Sequence, residues 1–196
     1  MTGRRAVFVD RDGVVNELAP DPATGIPQSP LRADDISLIP GAADALRRLA
    51  VAGLLLVGVS NQPAAAKGTV SVAAIDAVQR RVLALLAAEG VCFDAFRLCL
   101  HHPDGVVPAL RAGCACRKPA PGMLLDAARD LGIDLSASWM VGDSDDDVAA
   151  GAAAGCRTVL VEHPPSARRR RGASEPDAVA ADLRGAAELL LARASG

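Results

Sequence analysis

Ala6-Val7-Phe8-Val9-Asp10-Arg11-Asp12-Gly13 is the stretch on which the reading of this chain turns. The apolar run predicts a buried strand, and two carboxylates follow at its C-terminal end. Successive strand side chains point to opposite faces, so Asp10 and Asp12 share a side while the strand lasts. Gly13 frees the backbone to turn, which lets Asp12 swing over Asp10. That pair suits a carboxylate nucleophile with an acid/base partner, both beside a metal ion. An Asp-rich turn after a strand is the plain alternative, and four residues alone do not separate the two.

Three downstream segments each add one part of a phosphoryl-transfer site. Leu54-Leu55-Leu56-Val57-Gly58-Val59-Ser60-Asn61 reads as a second strand, ending in a hydroxyl and an amide. Arg117-Lys118-Pro119 is a cationic pair ahead of a helix, and Trp139-Met140-Val141-Gly142-Asp143 is a further strand running into Asp145, Asp146 and Asp147. Between these lie predicted helices over 41–52, 71–89 (with Ser71 as its cap), 121–131, 145–154 and 182–193. Further strands are predicted over 93–100 and 157–161, and a Pro- and Asp-rich loop over 14–40. Strands alternating with helices imply an α/β fold with a doubly wound parallel sheet. Ligands bind such sheets outside the carboxyl ends of the strands, where all these polar residues fall. Lys118 could be an ordinary solvated lysine, but Pro119 and Pro121 favour a fixed loop. The acid run could serve a helix N-terminus. Asp143, directly after the strand and Gly142, is the preferred metal ligand, and Asp147 is a candidate to orient Lys118 or a metal-bound water.

The order Asp-x-Asp-Gly, strand-Ser-Asn, Lys-Pro, Gly-Asp-x-x-x-Asp resembles the four motifs of the haloacid dehalogenase superfamily of phosphatases, over about residues 7–161. The resemblance implies a Rossmann-like fold and a role for each residue. Asp10 would attack phosphorus to form an aspartyl phosphate. Asp12 would protonate the leaving oxygen and then activate water. Ser60, with Asn61 or backbone amides, would hold phosphoryl oxygens, and Lys118 would offset their charge. Asp10, Asp143 and the backbone carbonyl of Asp12 would hold Mg²⁺.

Cys99-Leu100-His101 and Cys114-Ala115-Cys116 are two ligand pairs separated by a Pro/Gly-bearing loop. Three thiolates and an imidazole suit a tetrahedral structural zinc. Disulfides are the competing reading, disfavoured where no secretory signal is visible. Cys92 and Cys156 lie outside the cluster in apolar stretches and read as packed core thiols. Together with Asp-Arg-Asp-Gly, the cluster resembles the branch containing the heptose-bisphosphate and histidinol-phosphate phosphatases. That implies Zn²⁺ on Cys99, His101, Cys114 and Cys116, with Arg117 as a substrate-recognition residue. Lys67 is a further candidate phosphate contact, set against a plain surface lysine; His102 receives no role. Ser144 stands where heptose enzymes commonly carry Lys, Pro63-Ala64 where Ser-Gly is usual, and Leu100 where Pro is common.

Half of the 196 residues are hydrophobic, yet Trp139 and three Phe are the only aromatics, so the core must be Ala, Val and Leu. A net charge of −2 offers no general field for nucleic acid. Arg168 to Arg171, between Pro164-Pro165 and Gly172, reads as a solvated, mobile loop over about 164–176. No apolar run is long enough to span a membrane, and no signal-peptide core precedes the first strand. The expectation is one cytoplasmic, monomeric domain over 1–196, capless, with a zinc loop over about 99–116. Its expected reaction is Mg²⁺-dependent removal of the C7 phosphate from a heptose 1,7-bisphosphate. Histidinol phosphate or another small phosphate ester is the alternative substrate, and a catalytically silent zinc-stabilised binding module the alternative of another class.

Overall fold

The computed structural model describes residues 3–111 and 113–194. Six parallel strands form one sheet in the order β5-β4-β1-β6-β7-β8. These are β1 (Ala6–Val9), β4 (Leu55–Asn61), β5 (Ala95–Cys99), β6 (Trp139–Gly142), β7 (Arg157–Val161) and β8 (Ala178–Ala180). A two-stranded antiparallel hairpin, β2 (Ala19–Pro20) with β3 (Pro27–Gln28), stands apart from the sheet. The helices are α1 (Ala42–Val51), α2 (Val72–Ala88), α3 (Gly122–Leu131), α4 (Asp145–Ala154) and α5 (Leu183–Ala194). Ser71 caps α2, its hydroxyl accepting the Ala74 N–H at 3.1 Å.

The alternation of side chains along the strands divides the core in two. Val7, Val9, Leu56, Val141 and Val159 pack with Leu46 and Leu49 of α1, Val78 and Val82 of α2 and Leu183 and Leu190 of α5. On the other face Phe8, Val57, Val59 and Met140 pack with Met123, Leu124 and Ala127 of α3 and Ala150 of α4. Both faces are covered, as a parallel sheet requires.

From β1 the chain builds outward through β4 and β5 on one side, then returns to place β6, β7 and β8 on the other. The strand order therefore reverses beside β1, and Asp10 sits at that switch point. Between β1 and α1 the described residues hold only the hairpin and a short 3-10 turn, Ala33–Asp35, with no cap domain.

Two expectations need correction. Cys92 is exposed, lying in the turn after α2 rather than in the core, whereas Cys156 is buried. The basic run is only partly a solvated loop: Pro164–Arg169 form a 3-10 helix, Arg169 and Arg170 fold back onto the strand ends, and Arg168 and Arg171 stay exposed.

Candidate active site

The carboxyl ends of β1, β4 and β6 border a cleft of about 420 Å³ lined by Asp10, Asp12, Ser60, Asn61, Arg117, Lys118 and Asp147. Lys118, 3% exposed, lies at its floor. Its ammonium donates to Asp10 Oδ1 at 2.8 Å and the Val59 carbonyl at 2.8 Å, and pairs with Asp147 Oδ1 at 2.5 Å. Two of the ammonium's three donors go to hydrogen bonds, and the Asp147 carboxylate neutralises it from a third side. Burial alone would lower its pKa, but Asp10 and Asp147 outweigh that and hold it well above the ordinary lysine range.

Asp147 reaches Lys118 because α4 begins hard against the end of β6. A Cβ at Gly142 would lie 2.1 Å from the Asp147 Cβ, so only glycine permits the approach. The second oxygen of Asp147 accepts from the Ser144 N–H at 3.1 Å and its hydroxyl at 2.5 Å. The acid run therefore serves both the helix start and Lys118.

Asp143 is fully buried, and its Oδ1 has no hydrogen-bond partner among the described residues. Gly13, at φ +97°, brings the turn so close that an added Cβ would lie 2.2 Å from Asp143 Oδ2. One oxygen each from Asp10, Asp143 and Asp147 fall within 4.8 Å of one another. An orphaned buried carboxylate oxygen inside an all-oxygen donor set fits a hard divalent cation. Burial pushes Asp143 up to about 7, with Asp10 adding to the rise and Arg169 opposing it. Burial likewise raises Asp10; Lys118 pulls it back, while Asp147 and Asp12 add to the rise.

Asp12 is locked differently. Arg11 grips it with Nε on Oδ1 at 2.9 Å and Nη2 on Oδ2 at 3.0 Å. Asn16 Nδ2 donates to Oδ1 at 3.0 Å and Gln62 Nε2 to Oδ2 at 2.6 Å. Burial would raise its pKa, but the Arg11 charge and these hydrogen bonds outweigh it and hold the carboxyl below its usual range. Gln62 also donates to Ser60 Oγ at 2.9 Å, tying the two motifs together.

The remaining sequence candidates divide. Asn61 spends both ends of its amide on the Lys118 backbone, donating to its carbonyl at 2.9 Å and accepting from its N–H at 3.1 Å. It lines the cleft and clamps the Lys118 loop. Arg117 also lines the cleft, its Nη1 donating to the His101 carbonyl at 3.4 Å. Lys67 is exposed, stands outside the cleft lining and acts electrostatically on His102.

Sequence reading missed Arg11, Gln62 and Arg169. Arg11 is wholly buried and also bonds Gln79 Oε1 at 3.0 Å. Its place between the two aspartates was the only available signal. Arg169 Nη1 donates to the Asp12 carbonyl at 3.1 Å and to Asp143 Oδ2 at 3.3 Å.

Beside the cleft, Cys99, His101, Cys114 and Cys116 converge. Their sulfurs lie 3.2–3.6 Å apart, and His101 Nδ1 lies 3.5 Å from Cys116 Sγ and 3.8 Å from Cys99 Sγ. A disulfide needs about 2.05 Å, and all these cysteines are free. Tetrahedral bonds of ~2.3 Å to zinc place sulfurs ~3.7 Å apart; the cluster sits at or slightly inside that spacing. Its link to the cleft is direct, because the Gln62 N–H donates to the Cys99 carbonyl at 2.7 Å.

The HAD-hydrolase-like family model matches residues 115–186. The chain is 42% identical to a D-glycero-D-manno-heptose-1,7-bisphosphate 7-phosphatase of Thermosynechococcus vestitus, over 94% of each chain. It is 36% identical to the D-glycero-beta-D-manno-heptose-1,7-bisphosphate 7-phosphatase of Bordetella bronchiseptica, over 97% of this chain and 99% of the relative. The solved D,D-heptose 1,7-bisphosphate phosphatase of B. bronchiseptica, complexed with magnesium and phosphate, superimposes with a TM-score of 0.81 at 34% identity, covering 96% of this chain and 99% of that one.

Proposed function

The chain belongs to the haloacid dehalogenase-like phosphatases, and we propose that it is a Mg²⁺-dependent phosphatase that removes the C7 phosphate of D-glycero-D-manno-heptose 1,7-bisphosphate. As a member of that family it is a phosphoric monoester hydrolase. The observation that carries the chemistry is the set Asp10, Lys118, Asp147 and Asp143 gathered beside the carboxyl ends of β1 and β6, with Asp143 Oδ1 left without a partner among the described residues. The substrate reading rests on relatives of that name at 36–42% identity over nearly the whole chain.

Asp10 attacks phosphorus from the oxygen not held by Lys118, forming an aspartyl phosphate as the sugar oxygen leaves. Asp12 gives that oxygen its proton, then takes one from the water that cleaves the aspartyl phosphate. The grip of Arg11, Asn16 and Gln62 favours its ionised form, the form required for the second step. The incoming phosphoryl charge raises its proton affinity for the first. Ser60 Oγ faces the cleft to meet a phosphoryl oxygen, and Asn61 keeps Lys118 in place. Asp10, Asp143 and the Asp12 carbonyl would hold Mg²⁺, which supplies charge neutralisation for the phosphoryl oxygens.

Cys99, His101, Cys114 and Cys116 would hold a structural Zn²⁺ that keeps the loop over 99–116 folded against the cleft. Thiols in that role must stay reduced, which accords with a cytoplasmic enzyme, read here as a single-domain monomer. Among the described residues no helix is long and apolar enough to cross a membrane.

The test is phosphate release with Mg²⁺ from both anomers of heptose 1,7-bisphosphate, from histidinol phosphate and from simple monophosphates, with Asp10→Asn beside it. Release favouring a heptose anomer, and abolished in Asp10→Asn, is expected. A preference for histidinol phosphate would replace the substrate; no release from a folded, metal-loaded protein would replace the activity.

A further inference from the structure

The arginine run after β7 has a built position that the hydrolysis itself does not require. Arg170 is its anchor: Nη1 donates to the carbonyls of His163 at 3.1 Å and of Val161 and Asp143 at 3.4 Å, and to Ser166 Oγ at 3.3 Å. The buried Asp145 fixes the far side, its Oδ2 accepting the N–H of Arg171 at 2.6 Å and of Ala173 at 3.2 Å. Between these anchors Arg169 meets Asp143, while Arg168 and Arg171 line the cleft. Arg168 also reaches the Pro27 carbonyl on the β2–β3 hairpin, so the run bridges the cleft rim.

The charges show what the run adds. Arg11 pairs with Asp12, Lys118 with Asp10 and Asp147, and Arg169 with Asp143. Among the described residues at the mouth, three guanidiniums, on Arg117, Arg168 and Arg171, then face a single carboxylate, Asp146. Both Arg117 and Arg171 act on it electrostatically. At the mouth two positive charges are left over, while one carboxylate of the Asp10–Asp147 pair is left for a bound metal to offset. Ser144 brings no charge, and its hydroxyl is spent on Asp147.

We propose that Arg168 and Arg171 form a clamp for a second phosphate carried by the substrate, opposite the phosphate that reacts at Asp10; the clamp rests on the bisphosphate reading above. A phosphate monoester carries between one and two negative charges at neutral pH, matching the surplus. Guanidinium forks suit its oxygens. The clamp selects substrates by their far end and takes no part in bond breaking.

The test uses the full-length, metal-loaded protein and the double variant Arg168→Ala/Arg171→Ala. Two matched pairs are assayed: heptose 1,7-bisphosphate against heptose 7-phosphate, and fructose 1,6-bisphosphate against fructose 6-phosphate. Loss of a charge-assisted contact costs roughly tenfold or more in binding. The preference for bisphosphate over monophosphate in kcat/KM should therefore fall about a hundredfold, mostly through KM, and Arg168→Lys/Arg171→Lys should restore part of it. Equal losses on both members of a pair would overturn the clamp, as would a wild-type protein with no bisphosphate preference. Preference and its loss in the hexose pair without turnover of the heptose pair would uphold the clamp and correct only the identity of the sugar.

Discussion

Replacing Lys118 with Met tests the ionic centre of the site most directly. The side chain is 3% exposed and its ammonium lies 2.8 Å from Asp10 and 2.5 Å from Asp147. Met fills nearly the same space without charge, leaving two buried carboxylates facing each other with no cation between them. Removing one partner of a buried pair costs about 3–5 kcal/mol. A domain's entire stability is roughly 5–15 kcal/mol, so the metal-free variant should unfold at much lower urea. Adding Asp147→Asn removes one stranded charge, so Lys118→Met/Asp147→Asn should regain about 2 kcal/mol instead of losing more. Mg²⁺ should also restore part of the single variant's stability, because a divalent cation beside Asp10 takes over part of the neutralisation. Urea titrations of the wild type, Lys118→Met, Asp147→Asn and the double variant, in EDTA and in Mg²⁺, measure the coupling directly. A Lys118→Met protein within about 1 kcal/mol of wild type, or additive losses in the double variant, would refute an ion pair that holds the site together.

The metal-free protein should grow less stable as pH rises from about 4 to about 7. Asp143, pushed up to about 7 by burial from the ordinary 3.8, binds its proton more tightly folded than unfolded across that window. Asp10 acts in the same direction, and Asp12, held low, adds its own loss only on the acid side of the window. Each pH unit is worth up to about 1.4 kcal/mol for one such group, and saturating Mg²⁺ should flatten the slope; melting temperatures that do not vary with pH in EDTA would contradict it. Metal analysis of the purified protein should find one zinc, lost in Cys116→Ser together with several degrees of melting temperature. A zinc-free wild type of undiminished stability would count against the site. Arg169→Ala removes a cation from the Asp12 carbonyl and Asp143, so Mg²⁺ should bind about tenfold more tightly by calorimetry; weaker binding would show that Arg169 helps to hold the metal instead.

Long periodic segments were legible in the sequence. Of the apolar steps Val72, Ile75, Val78, Val82 and Leu85 along α2, the middle three are buried, Leu85 is half-buried and Val72 is exposed, and the five longer sheet strands lie where apolar runs predicted them. β8 was not legible, because Ala178–Ala180 is only three residues long and becomes a strand only by pairing with β7. The β2–β3 hairpin was hidden for the same reason, each arm being two residues long. Cys92 shows that an apolar neighbourhood in sequence does not place a side chain inside when it falls in a turn after a helix.

Within the site, the sequence by itself determined which chemical groups were available and at which strand ends they would fall. Strand polarity and the period of two decide that before any packing occurs. The tertiary structure alone decided how those groups pair. Arg11 grips its neighbour Asp12, Asn61 holds a backbone 57 residues away, and Arg169 crosses to Asp12 and Asp143 from a run that looked solvated. Charges taken out of water must find partners wherever the fold brings them close. Which cation meets which carboxylate is therefore a property of distances in space, and separation along the chain carries no record of it.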